Sequence, residues 1–70
     1  MTATDMALDP KSFAAALKMH RDRLGLTQLA LALALDVSAE AISKWERGLS
    51  APAAIAQEGA IARLKRARKK

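Results

Sequence analysis

Apolar residues in this 70-residue chain recur mainly three and four positions apart, and capping residues divide them into four segments. Asp9-Pro10 starts the first: Asp accepts from free N–H groups, and Pro suits the first helical position. Phe13, Ala16, Leu17, His20 and Leu24 follow at helical spacing, which predicts a helix over about 10–24. Gly25 ends it, because glycine takes the left-handed conformation at little cost. Thr27 caps a second segment, in which Leu29 to Leu35 alternates Leu and Ala. That period of two matches a strand. Ala and Leu are the strongest helix formers, however, and no β-branched residue is present, so a helix is expected. Asp36 stops it. Ser38 caps a third helix, about 39–47, which Gly48 ends. Pro52 is expected to open a last helix running to about Lys65, either unbroken or with a break near Gly59. The class is all-α: one compact domain of four to five helices over 9–64, a flexible N-terminal arm over 1–8 and a basic C-terminal tail over 65–70.

The third helix is two-faced. Ile42 and Trp45, three apart, point toward the core, as does Val37 just before them. The other side offers Ala39, Glu40, Ser43, Lys44 and Arg47. Two short helices joined by a tight turn, the second with a polar face, suit insertion into the major groove of DNA. Phe13, Leu17, Leu31, Val37, Ile42 and Trp45 form the candidate core. Phe13 and Trp45 are the only aromatic residues, too few for a base-stacking platform for single strands.

Charge sharpens this picture. The net charge is +5, yet six basic residues fall at Arg63, Lys65, Arg66, Arg68, Lys69 and Lys70. The preceding part carries six basic and seven acidic residues, so the excess sits at one end and suits a polyanionic partner. The chain has no cysteine and a single histidine, His20, which leaves no basis for a metal site, a cofactor or a catalytic triad. The acids are scattered, so an enzyme is not expected. No apolar run reaches spanning length and the N-terminal residues lack the charged start of a secretion signal, so a cytoplasmic protein without a membrane partner is expected.

Arg21, Leu24-Gly25-Leu26-Thr27-Gln28, Leu31-Ala32, Asp36-Val37-Ser38, Ile42-Ser43, Trp45-Glu46-Arg47-Gly48 and Pro52 together resemble the Cro/phage-repressor-like (XRE-type) helix-turn-helix family. The resemblance implies a lambda-repressor-like fold and sequence-specific binding of double-stranded DNA, usually by a dimer that controls transcription. It places Ala39, Glu40, Ser43 and Lys44 at base-reading positions. Lys44 would donate to guanine, Glu40 would accept from cytosine and Ala39 would touch a thymine methyl. Without the flanking motif, Glu40 and Lys44 read as a solvated ion pair four residues apart. Gln28, at a helix start, would contact phosphate, as would Thr27, Ser38 and Arg47. Arg21 and Glu46 occupy positions that the family joins by a partly buried ion pair.

The chain departs from the family pattern in two places. A single Ala-rich segment stands where the family often has two further helices, and Leu29 and Leu33 stand where the second helix usually shows polar residues. The expected dimer element is the last helix, Ile55 to Leu64, with Ile55, Gly59 and Ile61 as candidate contacts. Leu29 and Leu33 pack against a neighbouring helix or offer a patch to a protein partner. The basic tail is either solvated or wrapped on phosphate. The leading expectation is a dimeric, autoregulatory repressor on a palindromic operator. An antitoxin-like protein with a bound partner, or an architectural protein that bends DNA, are the alternatives.

Overall fold

A computed structural model describes residues 8–67, which form four helices: α1 (Pro10–Leu24), α2 (Gln28–Leu35), α3 (Ala39–Glu46) and α4 (Ala54–Arg66). No strand occurs among the described residues, so the Leu-Ala alternation is helical and propensity outweighs the period of two. Of the expected N-terminal arm and basic tail, 1–7 and 68–70 lie outside the described residues.

Side chains close the N-termini of the first three helices. The Asp9 carboxylate accepts from the Ser12 N–H at 2.7 Å, the Thr27 hydroxyl from Ala30 and the Ser38 hydroxyl from Ala41, each at 3.0 Å. At the far end of α3, Gly48 (φ 75°) sits in the left-handed region. Its N–H reaches the Trp45 carbonyl and the Leu49 N–H reaches the Lys44 carbonyl, so both orphan carbonyls are satisfied. Asp36 takes the same left-handed conformation (φ 59°) in the turn between α2 and α3.

The structure decides three features of the last helix. It starts at Ala54 rather than at Pro52, and Ala53 stands at the cap position without a side-chain hydrogen bond. Pro52 instead lies in the connection, where its carbonyl accepts from the Gln57 side chain at 3.0 Å. Gly59 does not break α4, because the helix supplies every other ladder bond and Gly costs only about 1 kcal/mol relative to Ala. The helix also continues through Arg66, so Lys65 and Arg66 are helical.

α3 packs against both α1 and α2, and α4 packs against α1. Phe13, Leu17, Leu24, Leu31, Ala32, Leu35, Ile42 and Leu64 form the buried core. Val37 and Trp45 are half-buried at its edge. The Trp45 ring meets Phe13 edge to face with centroids 5.7 Å apart, which ties α3 to α1. Leu64, the last residue of the expected dimer element, is in this core and has no surface left for a second subunit.

Two polar side chains, buried Gln57 and exposed Arg23, hold the ends together. Gln57 accepts from the Leu8 N–H at 2.9 Å and donates to the Leu8 carbonyl at 3.0 Å, which clamps the start of the described chain onto α4. Arg23 donates to the Leu64 carbonyl at 2.8 Å, with the His20 ring beside it at 3.3 Å. These bonds satisfy groups that would be costly to bury unpaired.

Candidate nucleic-acid interface

The α3 helix is anchored at its C-terminal end and free at its N-terminal end. Glu46, the last helical residue, is 3% exposed. Its carboxylate accepts from Arg21 Nε at 2.6 Å and from Arg21 Nη2 at 3.1 Å, a fork-to-fork pair between α1 and α3. The remaining nitrogen of the guanidinium, Nη1, donates to the Leu26 carbonyl at 3.1 Å. Gln28, at the start of α2, donates its amide to Glu46 Oε1 at 3.0 Å. One carboxylate therefore joins three helices and the α1–α2 turn.

Burial pushes the Glu46 carboxyl up, but hydrogen bonds from Arg21 and Gln28 and the Arg21 charge outweigh it and hold the group below its ordinary range. Arg21 moves the opposite way, upward, mainly through its hydrogen bond to Glu46. Both shifts favour the charged pair.

The Glu46 tie also defines what Gln28 has left to offer. The residue is exposed at the α2 N-terminus, while one amide hydrogen is committed to Glu46. The second hydrogen and the backbone N–H remain available to an anion. Thr27 and Ser38 are similar: each hydroxyl oxygen accepts from the helix it caps, and the O–H hydrogen stays free to donate. At the other end of α3, Arg47 is exposed, with Nε 3.4 Å from the Ser43 carbonyl and its terminal nitrogens free.

Ala39, Glu40 and Lys44 are exposed and Ser43 is half-buried on the side of α3 away from fully buried Ile42. Glu40 and Lys44 form no ion pair; among the described residues, Arg21–Glu46 is the one salt bridge. The polar face is thus not consumed by contacts within the domain. Its charges also suit the helix field, with Glu40 in the first turn and Lys44 in the last.

Leu29 and Leu33 are 61% and 74% exposed, so neither packs against α1 or α4. Ile55 is 84% exposed, Gly59 is open and Ile61 is half-buried. Among the ties not foreseen in the sequence are Gln28 to Glu46, Gln57 to Leu8, Arg23 to the Leu64 carbonyl, and Arg63 reaching the Ala34 carbonyl at the end of α2 at 3.5 Å. Only Gln57 left a trace, as a polar residue seven positions before Leu64 on the same helical face.

Among the described residues, no helix is long and apolar enough to cross a membrane. Comparison with curated proteins and with solved structures returns no match. Residues 17–55, more than half of the chain, match the model of the helix-turn-helix family, and the matched segment contains α2, α3 and the Arg21–Glu46 pair. The chain belongs to the XRE-type helix-turn-helix family typified by Cro and phage repressors, a family of DNA-binding regulators.

Proposed function

We propose that this protein is a sequence-specific repressor that binds a palindromic operator as a homodimer, with α3 of each copy in the major groove. The observation that carries this reading is the free polar face of α3, held from behind by Ile42 and at one end by Glu46. Ala39, Glu40, Ser43 and Lys44 are the base-reading residues, and Thr27, Gln28, Ser38 and Arg47 contact phosphate. Base contacts near the start of α3 choose the sequence, and the two helix N-termini set its register on the backbone. Repression is steric: a dimer seated on a promoter occludes the polymerase. The protein acts in the cytoplasm, where such a promoter lies, and carries out no catalysis.

The test is selection of bound sites from random DNA by the 70-residue chain. Inverted repeats with centres about 10 bp apart, or a multiple of that, support a two-fold dimer. Enrichment of nothing above random sequence, with affinity intact, would replace this reading with an architectural one that bends DNA without reading it.

A second reading rests on Leu29 and Leu33. Two leucines four positions apart, both mostly in solvent, suit a protein partner held on α2, as in an antitoxin-like regulator. A stoichiometric partner released by Leu29→Gln/Leu33→Gln would favour it.

A further inference from the structure

The outer flank of α4 borders an open apolar groove of about 370 Å³, lined by Leu8, Ala54, Glu58, Ile61, Ala62 and Lys65. Two opposite charges, Glu58 and Lys65, stand seven residues apart on this flank, which is two helical turns or about 10 Å. The positions three and four away from Glu58 are Ala54, Ile55, Ile61 and Ala62, none of them basic. Neither charge takes part in a salt bridge among the described residues. Of the exposed positions between them, Gly59 and Ala62 carry no long side chain and Arg63 turns toward the Ala34 carbonyl at the end of α2; nothing lies within 4 Å of where a Gly59 Cβ would stand.

We propose that this flank is self-complementary and pairs with a second copy of the chain. Two α4 helices run antiparallel about a two-fold axis between Ile61 and Ala62, so that Glu58 of each copy faces Lys65 of the other. A two-fold interface uses one patch twice, so any contact between two different positions appears in duplicate. Residues 58 and 65 are equidistant from the Ile61–Ala62 midpoint, and an antiparallel register about that point brings unlike charges together at both ends. It sets Arg63 opposite Ala60 and Arg66 opposite Gln57, so no like charges oppose each other. A parallel pairing would instead set Glu58 on Glu58 and Lys65 on Lys65. Antiparallel helices also align their dipoles favourably. Ile61 and Ala62 supply the apolar centre, and Leu8 borders it.

This inference specifies the surface used by the dimer proposed above and therefore rests on that dimer. It is tested in DNA-free buffer, so its failure is distinct from a failure to bind operator. Sedimentation of the full chain across a concentration series at low salt is expected to show reversible dimers that weaken as salt rises. Glu58→Lys and Lys65→Glu each replace two attractions by two repulsions and should weaken dimerisation at least about tenfold. The swap Glu58→Lys/Lys65→Glu should restore it to near the starting value. Circular dichroism checks that every variant keeps its helix content, and both sites are exposed.

Three outcomes would overturn the inference: a monomer at every concentration, single variants that dimerise like the parent, or folded single variants that the swap does not rescue. Dimers lost with Leu29→Gln/Leu33→Gln instead would move the interface to α2. Glu58→Lys should still bind an isolated half-site, because α3 is untouched. A dimer that forms but binds no DNA would sink the functional reading and leave this surface standing.

Discussion

Helices α2 and α3 are the same length, eight residues, and each is capped by a hydroxyl side chain. They differ in how the fold restrains them. α2 contains no charged residue; it buries Leu31, Ala32 and Leu35 on one side and leaves Leu29 and Leu33 in solvent on the other. α3 buries Ile42 and adds a charged tie at its C-terminus, with Glu46 held by Arg21 and Gln28. Apolar burial is non-directional, and a helix fixed by it alone keeps some freedom to rotate and slide. A forked ion pair has a direction, so it sets the angle at which α3 presents its opposite end. The charged anchor and the exposed polar face therefore occupy different parts of one short helix. Exposed positions such as Ala39 and Glu40 can vary at little cost to the fold, whereas Glu46 cannot.

Glu46→Ala probes the anchored end and should have the largest effect. Removing the carboxylate strands Arg21 and the Gln28 amide, and loss of one partner of a buried pair costs about 3 kcal/mol. A small single-core domain has only about 3–5 kcal/mol in total, so the variant should keep no more than about 2 kcal/mol and unfold at much lower urea than the parent. Urea denaturation followed by the fluorescence of Trp45 reads this directly. A midpoint equal to that of the parent would mean the pair does not anchor α3.

Lys44→Ala probes the exposed polar face of α3. Unfolding should shift by no more than about 0.5 kcal/mol, because Lys44 is exposed and unpaired. The ratio of operator to random-DNA affinity at fixed salt should drop by a factor corresponding to about 1–3 kcal/mol. If competition binding returned an unchanged ratio, Lys44 would not be a base reader.

Acid should act on the anchored side in two stages. Burial, together with the Arg23 and Lys65 charges, holds the His20 pKa below its ordinary 6.5. The unfolded chain then binds this proton more readily than the folded domain. The associated stability is complete above 6.5 and declines as pH falls toward the folded value. Glu46, held below 4.5, adds a second loss as pH falls further through its own folded value. Urea midpoints across the acid range should show both steps, and His20→Gln should abolish the upper one alone. A midpoint unchanged between about pH 7 and 5 would contradict the His20 assignment.

The smallest effect is expected at the outer side of α2. Leu29→Gln/Leu33→Gln should change unfolding by no more than about 0.5 kcal/mol, since water already reaches both side chains. A loss much larger than this would show that the two leucines support the fold.

Much of the architecture is written locally. Asp9, Thr27 and Ser38 cap the helices they precede, Gly25, Asp36 and Gly48 close those they follow, and all six act through atoms within a few residues. The spacing of Ile42 from the polar positions around it likewise decides which side of α3 faces water, because a helix maps sequence period onto direction. Pro52 misled for the same reason in reverse: a local signal for a helix start yielded to the Gln57 side chain, which takes the Pro52 carbonyl.

What no local pattern could specify are the bonds between distant groups. Gln57 clamps Leu8, 49 positions away, and its partners there are backbone atoms, which every residue carries and no sequence pattern distinguishes. Gln28 joins the Arg21–Glu46 pair only because the α1–α2 turn brings its amide within 3.0 Å of that carboxylate. Leu29 and Leu33 are exposed because α4 docks on α1 and leaves their side of α2 uncovered. Helix starts, stops and faces depend on neighbours along the chain and were readable there. Which helix covers which face depends on the competition for a single small core, and that is settled only when all four helices are in place.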